Sequence, residues 1–384
     1  MPCNPLLYPN DFPSAIGGGL NAVDVAISDL QQQAEAAALR QVQSRRFAGR
    51  VGAINQNEDL PVINAPMPQE VVVGGKASSA IGSKGFWISG ANVAGASLAS
   101  MDQISYSNEA VSAFSIGLAT PKFAASSACS TNAAYLAAGL APTGRLSSID
   151  KLILSTEVVA PIAATLQSSK WLPAGLSSPV SAFFGGGGWF EFASTNRTID
   201  KVAFSNDGRT TLAAQLATSR HAPFGLASRT LGYVLGGTLS AGIFLQNSIE
   251  RIAFSNDGLS TISALLAVAT CAGSSLLTPT AGYLVGGLIV GGVISSIQRF
   301  TFSLEAVVSL GISLVQPNHI AAGVQSFTQG YVGGGSASWD YSATTSLITR
   351  VSFSGEALTP IGSTLSTPRY SPTGASNYTP SAGS

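Results

Sequence analysis

The sequence predicts an all-β protein, a six-bladed β-propeller, and three observations carry that prediction. From residue 85 onward, a Gly-aromatic-x-x-Gly segment followed by Ile-x-x-apolar-x-aromatic-Ser-x-acid recurs every 48 to 51 residues to the C-terminus. The serine falls at Ser107, Ser155, Ser205, Ser255, Ser303 and Ser354, with an acid two residues later at Glu109, Glu157, Asp207, Asp257, Glu305 and Glu356. Six copies fit one closed ring. The apolar positions run at strand rather than helical spacing, as in Ile348, Val351 and Phe353, and each run stops at a turn-forming Asn-Asp-Gly, Leu-Glu-Ala or Gly-Glu-Ala.

Each copy divides into four short strands. The innermost is a Gly/Ala/Ser segment such as Phe224 to Ser228, and the second is the Tyr-x-x-Gly-Gly strand. The third is Ile-x-x-Val-x-Phe, and the outermost is a Leu-rich stretch such as Thr211 to Ala217. Antiparallel blades repeated radially leave only short, protected edges. Ring closure requires the chain ends to share a blade. Ser371 to Ser376 repeats the start of an innermost strand and keeps the repeat spacing, so it is expected to complete blade one; Val71 to Gly75 is the competing segment.

The first 70 residues stand outside the repeat. Pro2, Pro5, Pro9 and Pro13 predict an extended arm over residues 1–19, ended by Gly17 to Gly19. Residues 20–46 are rich in Ala, Gln and Leu, and Val23, Ile27, Leu30 and Ala34 fall at spacings of four and three. That stripe predicts a short helix serving either oligomerisation or docking. Residues 47–70, with Pro61, Pro66 and Pro68, read as a linker, and residues 71–384 as the propeller.

Composition limits the partners. Only 10% of the 384 residues are charged, with 19 basic and 19 acidic groups, which argues against nucleic acid because phosphate binding needs a concentrated positive surface. The longest apolar stretch, Gly282 to Ile297, carries four internal glycines in register with the other copies. It therefore predicts two strands and a turn rather than a membrane span. The N-terminus has neither a charged start nor an apolar block, so folding in a cytoplasm is expected. Cys3, Cys129 and Cys271 are odd in number and widely spaced, which argues against a disulfide framework.

The aromatic residue followed by a double glycine, in Tyr233 to Gly237, Tyr283 to Gly287 and Tyr331 to Gly334, resembles the signature of the kelch repeat family over about residues 71–384. The resemblance implies a kelch-like propeller, mostly a protein-binding fold. The chain departs from the family in lacking its late Trp, and its first two copies carry Ser89-Gly90 and Ala138-Gly139 in place of two glycines.

Several constellations bear on chemistry. Five residues after the last-strand leucine, successive repeats place Phe123, Trp171, His221, Cys271, His319 and Tyr370, which are expected to form a ring. His221, Cys271 and His319 are ligand types suited to zinc or copper, and a metal-dependent propeller oxidase related in fold to galactose oxidase would use such a set. The alternative, that they are packing residues interchangeable with Phe, Trp and Tyr, predicts no metal and no cofactor. One residue earlier, Lys122, Lys170, Arg220 and Arg369 form either a basic collar able to hold an anion or cations bonded to turn carbonyls and neighbouring acids. Ser205 to Gly208 and Ser255 to Gly258 resemble sialidase Asp boxes superficially, but lack the following Trp and read as tight turns.

The loops between second and third strands carry Trp189, Phe190, Phe192, Phe244, Trp339 and Tyr341, which serve either as glycan or protein contacts or as strand ends packed between blades. No Ser-His-Asp, phosphate-loop or paired-carboxylate pattern stands out, and a non-enzyme is expected. The layout of arm, helix and binding propeller resembles that of a phage tail, fibre or adaptor protein. It would be made in a host cytoplasm, assemble into the virion and associate with other tail proteins as a homo-oligomer. The alternative is an extracellular, lectin-like adhesive propeller.

Overall fold

The computed structural model describes residues 82–114, 116–188, 196–239 and 244–377. The chain divides into Met1–Gly74 and Gly75–Ser384, and all described residues belong to the second unit. The expected arm, helix and linker, with Val23, Ile27, Leu30 and Ala34, lie outside the described residues, as do Val71 to Gly75 and the loop residues Trp189, Phe190 and Phe192.

The second unit is a six-bladed β-propeller. Blade four shows the pattern, with Phe224–Ala227, Leu231–Leu235, Ser248–Ala253 and Gly258–Leu265 pairing antiparallel in sequence order from inside to outside. Second strands such as Ser181–Gly185 are buried along their whole length, because both faces meet neighbouring blades. Outer strands such as Gly258–Leu265 alternate between exposed and half-buried positions. The apolar stretch from Gly282 forms Ala281–Ile289 and Gly292–Thr301, joined by a tight turn. In blade three the outermost strand is Arg209–Thr211 rather than Thr211 to Ala217. It starts directly after the Asn-Asp-Gly turn; beyond it the chain bends, the Leu212 and Leu216 N–H groups still donating to Ile199 O and Arg197 O at 2.9 Å each while their side chains enter the core.

Blade one is closed by the C-terminal strand Thr373–Ser376, which pairs antiparallel with Lys84–Ile88. Its Gly374 shows why the innermost strands are so poor in side chains. A Cβ there would sit 2.2 Å from the Gly323 carbonyl oxygen of the preceding blade, and at Gly225 it would sit 2.3 Å from that of Gly175. At these glycines the inner strands approach more closely than a side chain permits, although blades two and five carry Ser127 and Ser275 at the same position.

Adjacent blades are registered by the repeat's acid. Glu109, Glu157, Asp207, Asp257, Glu305 and Glu356 all adopt positive φ, between 45° and 59°, which turns the chain from third to fourth strand. Each carboxylate reaches back to a base of the previous blade: Arg350–Glu109 2.8 Å, Lys84–Glu157 2.5 Å, Lys151–Asp207 2.7 Å, Lys201–Asp257 2.9 Å, Arg251–Glu305 2.9 Å and Arg299–Glu356 2.7 Å. Tyrosine hydroxyls join four of them, as where Tyr135 donates to Asp207 at 2.6 Å. These pairs are part-exposed, so their role is geometric more than energetic. Behind them, aromatic rings stack across the blade boundary, as in Phe183–Phe254 at 5.0 Å and Tyr283–Phe353 at 5.4 Å.

The two atypical copies keep the common backbone. Ser89 and Ala138 have φ of 61° and 68°, beside 60° at Gly236 and 63° at Gly286. A left-handed conformation costs a non-glycine residue about 1–2 kcal/mol, which tertiary packing overrides here.

Candidate functional site at the channel mouth

The site is built from the six crossovers between an outer strand and the next inner strand. At each crossover the residue after the ring position adopts positive φ: Ala124, Leu172, Ala222, Ala272, Ile320 and Ser371 lie between 47° and 56°. For branched Leu172 and Ile320 this conformation is strained. Backbone bonds between blades offset the strain: Leu172 N–H donates to Ala124 O at 2.9 Å, Ile320 N–H to Ala272 O at 2.6 Å, and Ser371 N–H to Ile320 O at 2.8 Å. Repeated round the axis, this turn directs the preceding side chains to one place. Phe123, Trp171, His221, Cys271, His319 and Tyr370 line a single cavity of about 130 Å³.

The ring is packed unevenly. Phe123 meets Trp171 and Tyr370 edge-on at 6.3 and 5.7 Å, and Trp171 meets His221 at 5.3 Å. Tyr341, from the second-to-third-strand loop of blade six, stacks on Tyr370 at 4.5 Å and on His319 at 5.7 Å. It holds a positive φ of 63° to do so. Cys271 is the smallest of the six ring residues; Leu288, Thr238 and Trp339 line the cavity with them, as do the positive-φ residues of five of the crossovers. Trp339 is 63% exposed, and Phe244, in the corresponding blade-four loop, is also exposed.

The lining is uncharged near neutral pH. Burial holds both His221 and His319 down at about 4, pushes the Cys271 thiol up to about 12, and raises the phenols of Tyr341 and Tyr370. An unfolded imidazole titrates near 6.5, so each histidine's contribution to stability is complete above about pH 6.5 and is lost as pH falls to about 4, roughly 3 kcal/mol apiece. Cys271, Tyr341 and Tyr370 stay neutral throughout that window. His319→Phe, which copies Phe123, is expected to flatten the fall in denaturant midpoint between about pH 6.5 and pH 4. An unchanged slope would mean that His319 titrates normally in the folded protein.

The four cations of the preceding position do not open onto the channel mouth. Lys122, Lys170, Arg220 and Arg369 are at most 1% exposed and pair with Asp150, Asp200, Glu250 and Asp102 at 2.7, 2.9, 3.0 and 2.8 Å. Burial lowers the pKa of all four, and for Lys122, Lys170 and Arg220 the paired carboxylate opposes that shift chiefly through its charge. The four acids each follow Ile or Met on a third strand. Their pairing was visible in the sequence: where the base becomes Thr270 or Asn318, the acid becomes Gln298 or Thr349. Gln298 keeps one task of the lost acid, since its Oε1 accepts from Ala267 N–H at 2.9 Å as Glu250 Oε2 accepts from Ala217 N–H at 2.6 Å.

His221, Cys271 and His319 share the cavity, yet among the described residues no three His, Cys, Asp or Glu side chains are placed to hold one metal ion. The turns at Asn206 and Asn256 are held locally, each side-chain oxygen accepting from the glycine N–H two residues on at 2.9 Å. No family model matches the chain, and no curated protein matches it.

Proposed function

We propose that this chain is a non-enzymatic binding protein of a virion, a phage tail, fibre or adaptor component. It docks through residues 1–70, associates with copies of itself and with other tail proteins there, and displays a kelch-like propeller. The observation that carries the binding role is the neutral, aromatic-walled cavity at the channel mouth, flanked by exposed Trp339 and Phe244 on the interstrand loops. The ionisable groups near it support a passive role: the four buried cations are paired, and burial keeps both histidines uncharged. Docking through the N-terminal region is supported by the stripe Val23, Ile27, Leu30 and Ala34, an apolar face that stays exposed unless a second surface covers it.

The neutral cavity also suits a second reading, a free lectin-like adhesive propeller, and assembly separates the two. Mass spectrometry of purified particles is expected to find the full chain at fixed stoichiometry with capsid or tail proteins. Leu30→Asp is expected to abolish that incorporation while leaving the melting of the propeller unchanged. Full-length protein that remains monomeric by light scattering and never copurifies with particles rejects the virion reading.

A further inference from the structure

We propose that the channel-mouth cavity binds one neutral pyranose ring of a glycan, with His319 reading a hydroxyl and Trp339 forming the outer platform. The inference rests on the propeller being a binding module and is independent of its assembly into a virion.

The main observation is at His319. It is 3% exposed and lines the cavity, and neither ring nitrogen has a hydrogen-bond partner among the described residues. Polar groups so buried are almost always satisfied, and leaving one unpaired costs a protein stability. Tyr341 covers a face of the ring without bonding either nitrogen, so among the described residues nothing meets them and a group held in the cavity can. A neutral imidazole presents one donor and one acceptor. Hydroxyl groups match both, because each can accept from the N–H and donate to the lone pair. A purely apolar ligand would leave His319 as it is.

The surroundings select among hydroxylated ligands. The walls are Phe123, Trp171, Tyr370 and Tyr341, and rings of this kind pack against the C–H faces of sugars. Trp339 stands at the rim with 63% of its surface open, where a second face is available to the same ring. The nearby cations are buried in ion pairs, so a carboxylated or phosphorylated sugar finds no countercharge at this site. About 130 Å³ is well below the roughly 300 Å³ at which drug-sized ligands begin, which limits the occupant to a single ring.

The test is calorimetric and NMR titration of the full chain with methyl pyranosides of glucose, galactose, mannose and N-acetylglucosamine, beside the methyl glycoside of a sialic acid. At least one neutral sugar is expected to bind with a Kd on the order of 1 mM, and the acidic sugar is expected not to. His319→Phe and Trp339→Ala are each expected to weaken binding about tenfold or more at unchanged melting temperature. If His319→Phe destabilises the fold, Trp339→Ala, at an exposed position, decides the matter. No binding by any neutral sugar overturns the proposal, as does equal affinity for the acidic sugar or an affinity unaffected by Trp339→Ala. Particle incorporation, measured separately, reports on the virion reading whatever the sugar result.

Discussion

Deleting residues 373–384 is expected to abolish cooperative unfolding or to lower the melting temperature by more than about 10 °C. The strand Thr373–Ser376 supplies the inner edge of blade one and touches three blades at once. Ala375 enters the core with Phe86, Ile88 and Leu136. Thr373 Oγ1 donates to Ala125 O at 3.1 Å in blade two, and Ser376 Oγ accepts from Gln325 N–H at 2.8 Å in blade six. Without it, Lys84–Ile88 becomes an unpaired edge and the ring of inner strands is broken between first and last blades. Each kcal/mol lost shifts the melting temperature of a domain this large by only about 2–4 °C, so a drop above 10 °C requires several such contacts to go together. Cooperative melting at the wild-type temperature would show that another segment closes the ring, with Val71 to Gly75 the first to examine.

Arg220→Thr is expected to cost about 3–5 kcal/mol, and adding Glu250→Gln to recover at least about half of that loss. The single substitution leaves Glu250 charged, 2% exposed and without its base. It also strips donors from Gly236 O, at 2.7 Å, and Ser248 O, at 2.9 Å. The double substitution copies what the next blade already does with Thr270 and Gln298, both buried and uncharged. Denaturant unfolding of wild type, both single variants and the double variant closes a thermodynamic cycle. If the double variant is no more stable than Arg220→Thr alone, the pair acts through the arginine's carbonyl contacts and not through its charge.

Much of this architecture was legible in the sequence. The 48-to-51-residue period, the strand spacing and the turn chemistry determine blade number and strand order and favour the C-terminal closure over Val71 to Gly75, because a radial repeat writes each blade's local requirements into the chain six times. The repeat position of Phe123, Trp171, His221, Cys271, His319 and Tyr370 was readable for the same reason. The short outer strand Arg209–Thr211 was not, since Leu212 and Leu216 fit a strand as well as a buried bend and only packing chooses between them.

What the tertiary structure decided is where side chains from different blades meet. Read along the chain, Lys122, Lys170, Arg220 and Arg369 fit either a collar or cations bonded to neighbouring acids, and the fold decides for buried pairs because each acid lies about 30 residues away on a third strand, or, for Arg369, across the ring closure at Asp102. Tyr341 reads as a loop tip, yet its ring sits between His319 and Tyr370, whose separation in sequence says nothing of their proximity. The same holds for the two nitrogens of His319: local sequence dictates the turn that aims the ring inward, but whether anything there meets them depends on all six blades closing around one axis.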